Sequence, residues 1–203
     1  MRPHADIPGK FPDDSSAHYS RTAMMFHWTI AVLILFEFAS ALSFSLFNPG
    51  DAGYFHSAYR LHMSAGMALL VFSASCIAWR LMHKYPPLPR DMHAATRALA
   101  TLALILLYVF IISVPAIGWA ILSTRNTAVG IFGKLHWPNI AYLGQMTYGQ
   151  RVRLHGFLVA VHTKLAYLGI GLVGLHVAAS LYHHFYRRDD VLTRMLPEIK
   201  PKH

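Results

Sequence analysis

Four stretches of the chain are almost entirely apolar, and polar segments separate them. The apolar stretches run over about residues 24–47, 61–82, 98–122 and 157–182. A bilayer core about 30 Å thick needs roughly 20 apolar residues in a helix. Each stretch has about that length, so the pattern predicts an all-α fold, an integral membrane four-helix bundle. Pro115 lies in the third stretch, where a membrane helix tolerates it, and we expect it to kink that helix.

The polar segments predict a simple domain organisation. The transmembrane domain covers residues 21–187, between a flexible N-terminal tail over 1–20 and a charged C-terminal tail over 188–203. The first tail lacks the pattern of a cleaved signal peptide. Three connections join the predicted helices: a turn over 48–60, a Pro-rich connector over 83–97 and an outer loop over 123–154 with room for a short interfacial helix.

The distribution of Lys and Arg predicts the orientation in the membrane. The two tails, the 83–97 connector and the flanking Arg21, Arg80 and Arg187 together carry 12 of these residues, whereas the two connections on the opposite side carry 5. Cytoplasmic segments are enriched in Lys and Arg. Both termini are therefore predicted to be cytoplasmic.

Composition agrees with a membrane protein and excludes several other classes. Of 203 residues, 55% are hydrophobic and only 13% are charged, against about 25% charged in soluble domains. The mean hydropathy is +0.37. The net charge of +9 would suggest nucleic acid in a soluble protein, but here it flanks membrane spans. Cys76 is the single cysteine, which excludes an intrachain disulfide, a four-Cys zinc site and a C-x-x-C-H haem attachment.

Four of the 14 histidines lie within the predicted spans: His27, His62, His162 and His176. A polar side chain at that depth is costly and by default indicates function. With the N-terminus inside, His27 and His176 lie at the same depth near the cytoplasmic side, and we call them the inner pair. His62 and His162 lie at the same depth near the opposite side and form the outer pair.

The fourth helix places both of its histidines toward the bundle interior. Fourteen residues separate His162 from His176, which corresponds to about 40° in azimuth and about 21 Å along the axis. Gly169 lies midway between them, and Gly66 lies one turn from His62. These glycines leave room for a flat, wide group, although glycine also serves close helix packing in membranes.

Two histidine pairs at two depths suit two haems with two imidazole ligands each. Without a C-x-x-C-H motif the haems would be of b type. Zinc is the competing metal, but it takes four ligands, usually including sulfur or carboxylate, and only Glu37 is an acid within the spans. A histidine-lined metal transporter, or a membrane anchor with structurally packed histidines, are the alternatives from other classes.

Several ordered motifs resemble the bacterial cytochrome b561 family, and together they cover about residues 18–197. They are HYSRTAMMFHW at 18–28, LHMSAG at 61–66, AWRLMHKYPP at 78–87, VHTKLAYLGIGLVGLHVAASLYHH at 161–184 and RMLP at 194–197. The resemblance implies a transmembrane cytochrome b domain with two haems b and a quinone site. It also implies that His27, His62, His162 and His176 are the haem-iron ligands, paired as above.

Basic residues near the predicted helix ends are candidates for further roles. Arg60 and either Arg151 or Arg153 would bind the propionates of the outer haem, and Arg21 and Arg80 those of the inner haem. The alternative is that they are ordinary flanking or snorkelling residues. Lys164, inside the fourth helix, would face a quinone carbonyl or an anion. An outward cluster would attract a small anion: Arg60, Lys134, Arg151, Arg153 and Lys164.

Electron transfer is the predicted function, because the resemblance implies a redox cofactor and the chain lacks a nicotinamide fingerprint or phosphate loop. The resemblance implies a multi-pass inner-membrane oxidoreductase that oxidises superoxide at the outer haem and reduces ubiquinone. The alternative is a cytochrome b subunit that passes electrons between a dehydrogenase or hydrogenase and quinone. The sequence leaves open whether two copies form a homodimer, and what Glu37, His155, His183 and His184 do.

Overall fold

A computed structural model describes residues 19–46, 52–83, 93–125, 129–132 and 135–196. The predicted fold of four long apolar helices is confirmed, and each is long and apolar enough to cross a membrane. The long helices are α1 (Arg21–Leu46), α2 (Ala52–Met82), α3 (Ala94–Thr124) and α5 (Tyr148–Tyr182). Between α3 and α5 lie β1 (Val129–Ile131), β2 (Leu135–Trp137) and the short α4 (Ala141–Gly144).

The helices extend beyond the stretches that hydropathy marks. Hydropathy detects the part of a helix that lipid surrounds, whereas backbone hydrogen bonding continues past it. The clearest case is α5, which begins at Tyr148 instead of about residue 157. Thr147 caps it, because its hydroxyl accepts from the Gln150 amide while the Gln150 side chain accepts from the Thr147 amide. This capping box is a start signal that lies outside the apolar stretch.

The outer loop is more ordered than a plain connection. Strands β1 and β2 pair antiparallel, with Val129 opposite Trp137. The Phe132 amide donates to the Ser64 hydroxyl on α2, and the Trp119 indole on α3 donates to the Pro138 carbonyl. The hairpin therefore ties the outer ends of α2 and α3 together. The predicted short interfacial helix corresponds in place to α4.

Three helix pairs pack closely along the described chain: α1 with α2, α2 with α3, and α3 with α5. A buried cluster of Ile30, Ile34, Leu69 and Ile111 holds the first three helices together. Helix α5 packs closely on α3 but not on α1 or α2. The bundle is therefore open between α5 and the first two helices, and this is the space that the histidines line.

Many large apolar side chains point outward, as lipid contact requires. Val32, Leu102, Val109 and Leu168 are among the exposed ones, at 51–68% of their surface. In water such a surface would promote association. In a bilayer the same surface contacts the lipid chains. The protein is therefore a membrane protein in contact with lipid.

The segment after α5 folds back against the beginning of α1. A π-helical turn over His183–Arg187 ends at Arg188, whose φ of 53° reverses the chain. The Trp28 indole then donates to the Met195 carbonyl at 2.9 Å, and the Tyr19 amide donates to the Arg194 carbonyl at 3.3 Å. The beginning of α1 and the end of α5 therefore lie at the same end of the bundle.

Some sequence predictions fall on residues outside the described ranges. These include most of the N-terminal tail, the end of the first predicted span at Phe47, the beginning of the turn over 48–60, most of the Pro-rich connector over 83–97, Lys134 in the outward basic cluster, and the last residues of the C-terminal tail. Helix α3 continues through Pro115 and is a single helix from Ala94 to Thr124.

Gly169 is a close approach between α3 and α5, and it provides a test of this packing. A Cβ at Gly169 would overlap the ring of Phe110. We expect Gly169→Val to destabilise the protein by about 1–3 kcal/mol, the usual cost of overpacking, and Phe110→Ala to restore part of the loss in the double variant. Thermal unfolding in detergent measures this.

Gly171 is the matched control for this test. It lies on the same helix, and nothing is within 4 Å of its ideal Cβ. Gly171→Val is therefore expected to have little effect. Equal destabilisation by the two substitutions would contradict the close approach of Phe110 to α5.

Candidate functional site

The structure brings the four membrane histidines together in two pairs. The ring centroids of His62 on α2 and His162 on α5 are 6.3 Å apart. Those of His27 on α1 and His176 on α5 are 6.4 Å apart. Each pair bridges the open side of the bundle, where α5 stands away from α1 and α2. The two pairs are thus stacked along the face of α5 that carries both of its histidines.

The spacing within each pair fits two imidazoles that share one metal atom. A metal–imidazole bond is about 2 Å long, and the nitrogen lies about 1.1 Å from its ring centre, so opposed ligands have centroids about 6 Å apart. Direct packing of two rings allows shorter distances. The two imidazoles of each pair could therefore hold one haem iron, and the haem would supply one-electron transfer.

A backbone carbonyl fixes the ring of His162. Nδ1 of His162 lies 3.1 Å from the carbonyl oxygen of Val114 on α3. Gly118, one turn further along α3, makes room for this ring, since a Cβ there would already be 3.4 Å from Cε1 of His162. A carbonyl oxygen only accepts hydrogen bonds, so Nδ1 of His162 is the donor. Nε2 is then the nitrogen with a free lone pair.

Two side chains of α1 fix the ring of His62. Its Nδ1 lies 2.6 Å from Oε2 of Glu37 and 3.1 Å from Oγ of Ser40. The Ser40 hydroxyl donates its own hydrogen to the Glu37 carbonyl at 2.9 Å, so toward His62 it is an acceptor. Nδ1 of His62 is therefore the donor as well, and Nε2 keeps the lone pair that a metal needs.

The inner pair has a different environment. Nδ1 of His27 is buried and has no hydrogen-bond partner among the described residues. The edge of Trp28 contacts the His27 ring, with centroids 5.1 Å apart and planes at 89°. His176 is exposed on the open side of the bundle. A buried ring nitrogen without a partner is costly, so the inner pair fits a site where a bound group, and not another side chain, would satisfy the imidazole.

A cavity of about 520 Å³ surrounds the outer pair. Its volume is typical of sites for cofactors and small molecules. The walls are mainly apolar, and both histidines and Glu37 face into it; other lining residues include Ile34, Phe44, Gly66, Phe110, Pro115, Trp119 and Ile170. Gly66 lies next to the Glu37 carboxylate, since its ideal Cβ would be 3.8 Å from Oε2.

A second, basic cavity of about 340 Å³ adjoins the first and forms what we call the basic mouth: Thr124, Arg125, Tyr148, Arg151, Val152 and His155. Arg125 and His155 line both cavities. Nδ1 of His155 lies 2.9 Å from Oγ1 of Thr124, and Nε2 lies 3.5 Å from Nη2 of Arg125. The region next to the outer pair is therefore positively charged.

The sequence-predicted basic residues have different positions. Arg151 lines the basic mouth, whereas Arg60, Arg153 and Lys164 are exposed and line neither of these two cavities. At the other end, Arg21 is exposed at the beginning of α1. Nη1 of Arg80 donates to the Tyr108 hydroxyl at 3.1 Å, and its guanidinium lies 5.2 Å from the centre of that ring.

Gly169 and His183 each have a defined partner. Phe110 occupies the space beside Gly169, so this glycine serves the packing of α3 on α5. Nδ1 of His183 lies 2.6 Å from Oδ2 of Asp189, just after α5. His183 therefore stabilises the chain reversal at the end of that helix.

Sequence reasoning missed several residues of the outer site. Nothing in the sequence marks Ser40 or Val114, because a serine or a valine carbonyl in a membrane helix is ordinary until its neighbour is known. Gly118 and Arg125 were weakly indicated, since Gly118 is a small residue within a membrane helix and Arg125 is a basic residue at the end of one. Among the described residues no three His, Cys, Asp or Glu side chains form a group that could hold a metal ion.

Comparison with known proteins places the chain in one family. The family model for prokaryotic cytochrome b561 matches residues 18–198. A Yersinia pestis protein named "Probable superoxide oxidase CybB" is 28% identical over 180 residues, which is 89% of this chain and 96% of the relative.

Two Escherichia coli K12 proteins show a similar likeness. "Cytochrome b561 homolog 2" is 29% identical over 180 residues, 88% of this chain and 90% of its own. "Cytochrome b561 homolog 1" is 22% identical over 182 residues, 90% of this chain and 98% of its own. With the family model matched over nearly the whole described chain, and with four apolar helices that carry paired histidines, the protein belongs to the prokaryotic cytochrome b561 family of membrane electron-transfer proteins, which implies haem b as its cofactor.

Proposed function

We propose that the protein binds two haems b, one at each histidine pair, and transfers electrons from superoxide at the outer face to ubiquinone. The observation that carries this proposal is the spacing of 6.3 and 6.4 Å between paired imidazoles across the open side of the bundle. His62 and His162 are the proposed iron ligands of the outer haem, and His27 and His176 those of the inner haem.

The residues around the outer pair prepare it for iron. The Val114 carbonyl, Glu37 and Ser40 hold the Nδ1 hydrogens, which leaves Nε2 of both rings unprotonated. The apolar walls of the cavity limit water next to the iron, and both factors tune the potential of a bound haem. Haem in this position supplies one-electron transfer: two superoxide ions lose one electron each, and one ubiquinone takes up both electrons with two protons.

The basic mouth supports superoxide as the electron donor. Superoxide is a small anion, and a basic cleft raises the encounter rate of such ions. Arg125, Arg151 and His155 border the cavity of the outer pair, and the exposed Arg60, Arg153 and Lys164 extend the positive charge beyond it. The name of the Yersinia pestis relative supports the same donor.

The exposed apolar surface supports ubiquinone as the acceptor, because a quinone dissolved in the bilayer reaches the protein from the side. Lys164 is exposed on α5, two residues from His162. Its ammonium group is a suitable partner for a quinone carbonyl at that depth. We propose this contact as the role of Lys164.

The proposed setting is the inner membrane, with both termini cytoplasmic. The beginning of α1 and the segment after α5 meet at one end of the bundle, which supports a topology with both termini on one side. The count of Lys and Arg residues favours the cytoplasm for that side. Arg21 and Arg80 then lie at the inner end, where we propose that they face the propionates of the inner haem.

Substitution of the histidines tests the pairing. His62→Ala and His162→Ala are each expected to abolish the same haem and to leave the other, so that each variant purifies with about half of the wild-type haem content, because a b-type haem is held without a covalent bond and each variant removes one of its two proposed histidine ligands. His27→Ala and His176→Ala are expected to abolish the second haem. Pyridine haemochrome assays with difference spectra measure this.

His184→Ala is the control for these variants, since this residue belongs to neither pair. It should keep the full haem content. If His62→Ala and His162→Ala removed different haems, the proposed pairing would be wrong.

Neutralising the basic mouth tests superoxide as the donor. The double change Arg125→Gln and Arg151→Gln is expected to lower the second-order rate constant of haem reduction by superoxide about tenfold at low ionic strength. The effect should shrink as salt screens the charges. Stopped-flow absorbance after mixing with superoxide gives the rate.

Arg97→Gln with Arg188→Gln is the matched control, since both residues are exposed and the change removes the same charge at the opposite end of the bundle. It should leave the rate unchanged. An equal loss in both double variants would contradict local steering, and failure of superoxide to reduce wild-type haem would contradict superoxide as the donor.

A further inference from the structure

Glu37 is a buried acid on helix α1, and apolar packing alone does not explain why an acid lies there. The residue is only 9% exposed, and an ionised carboxylate in an apolar region is costly unless it is paired and hydrogen-bonded. Among the described residues, Glu37 pairs with His62: Oε2 of the carboxylate lies 2.6 Å from Nδ1 of the ring. Its other oxygen, Oε1, is buried without a hydrogen-bond partner among the described residues.

The contact with His62 has a defined direction. Ser40 is already committed as a donor to the Glu37 carbonyl, so both groups that face Nδ1 of His62 accept hydrogen bonds. If Nε2 of His62 binds iron, Nδ1 carries the ring hydrogen, and the carboxylate of Glu37 accepts it. A carboxylate in this position makes the imidazole a stronger electron donor to the metal, which favours the ferric state.

Three of the four histidines have Nδ1 environments that differ in this respect. His162 donates to a neutral carbonyl, that of Val114. Nδ1 of His27 has no hydrogen-bond partner among the described residues. Of these three, only His62 faces an acid. The outer and inner sites therefore differ in the charge that lies next to a proposed iron ligand.

We propose that Glu37 is a positioning residue of the outer haem: it holds His62 in the iron-binding tautomer and sets the reduction potential of this haem below that of the inner haem. This inference rests on the proposed haem ligation but not on the proposed donor or acceptor.

Glu37→Gln in the full-length, detergent-purified cytochrome tests the proposal. Glutamine keeps the size and an oxygen that accepts the Nδ1 hydrogen, but it removes the charge. We expect the potential of one haem to rise, so that its ferrous-to-ferric ratio at a fixed applied potential increases about tenfold or more, the usual scale of such outer-sphere changes. The electron paramagnetic resonance signal of the same ferric haem should shift, while the other haem is unchanged.

The haem that is missing from His62→Ala identifies the outer site in these spectra. Ser40→Ala removes the second acceptor and keeps the carboxylate, so its potential should change in the same direction by less. Selective loss of the outer haem from Glu37→Gln would also support the proposal, because a merely structural acid would affect both sites.

Unchanged potentials and resonance signals for both haems in Glu37→Gln would overturn the proposal. If that variant purified without any haem, Ser40→Ala would decide, and an unshifted outer haem there would overturn it. Failure of the proposed function is distinguishable: wild-type protein without haem contradicts the ligation, and wild-type dihaem protein that is inert toward superoxide contradicts only the donor.

Discussion

A neutral imidazole has one nitrogen that donates a hydrogen bond and one that offers a lone pair, and a membrane interior supplies no water to satisfy either. At the outer pair, helix α1 and helix α3 provide acceptors for Nδ1 of His62 and His162. The remaining nitrogen of each ring is thereby forced to be a bare lone pair. One metal atom would satisfy both lone pairs, on rings 6.3 Å apart, and the proposed haem iron meets this requirement.

The packing of the helices leaves space for the proposed iron site. Helix α5 stays close to α3, where Gly169 admits Phe110, and stands away from α1 and α2. Because of this separation, α5 has little direct contact with α1 and α2. The space between them holds both histidine pairs. At the outer end the hairpin and the Thr147 cap position the basic mouth beside that space, so the proposed entry for an anion and the proposed iron site are neighbours.

The spans and the depth of each residue in the membrane could be predicted from position along the chain. Contacts that depend on how each helix is rotated about its axis, and on which side chains then become neighbours, could not. Four spans and the depth of each histidine follow from hydropathy and spacing alone, since a bilayer turns sequence position into height. Helix α5 began earlier than hydropathy indicated, because Thr147 and Gln150 cap it outside the apolar stretch. The partner of Glu37 could not be predicted, since it depends on the rotation of α1 against α2, and neither could the contact of Arg80 with Tyr108.

The haem-to-protein ratio of the purified wild-type chain tests the central claim most directly. Expressed with ample haem supply and measured against amino-acid analysis, the protein should contain two haems b per chain, with ferric resonance signals typical of two imidazole ligands at each iron. A pigment-free protein, or a single haem with both pairs intact, would contradict the account.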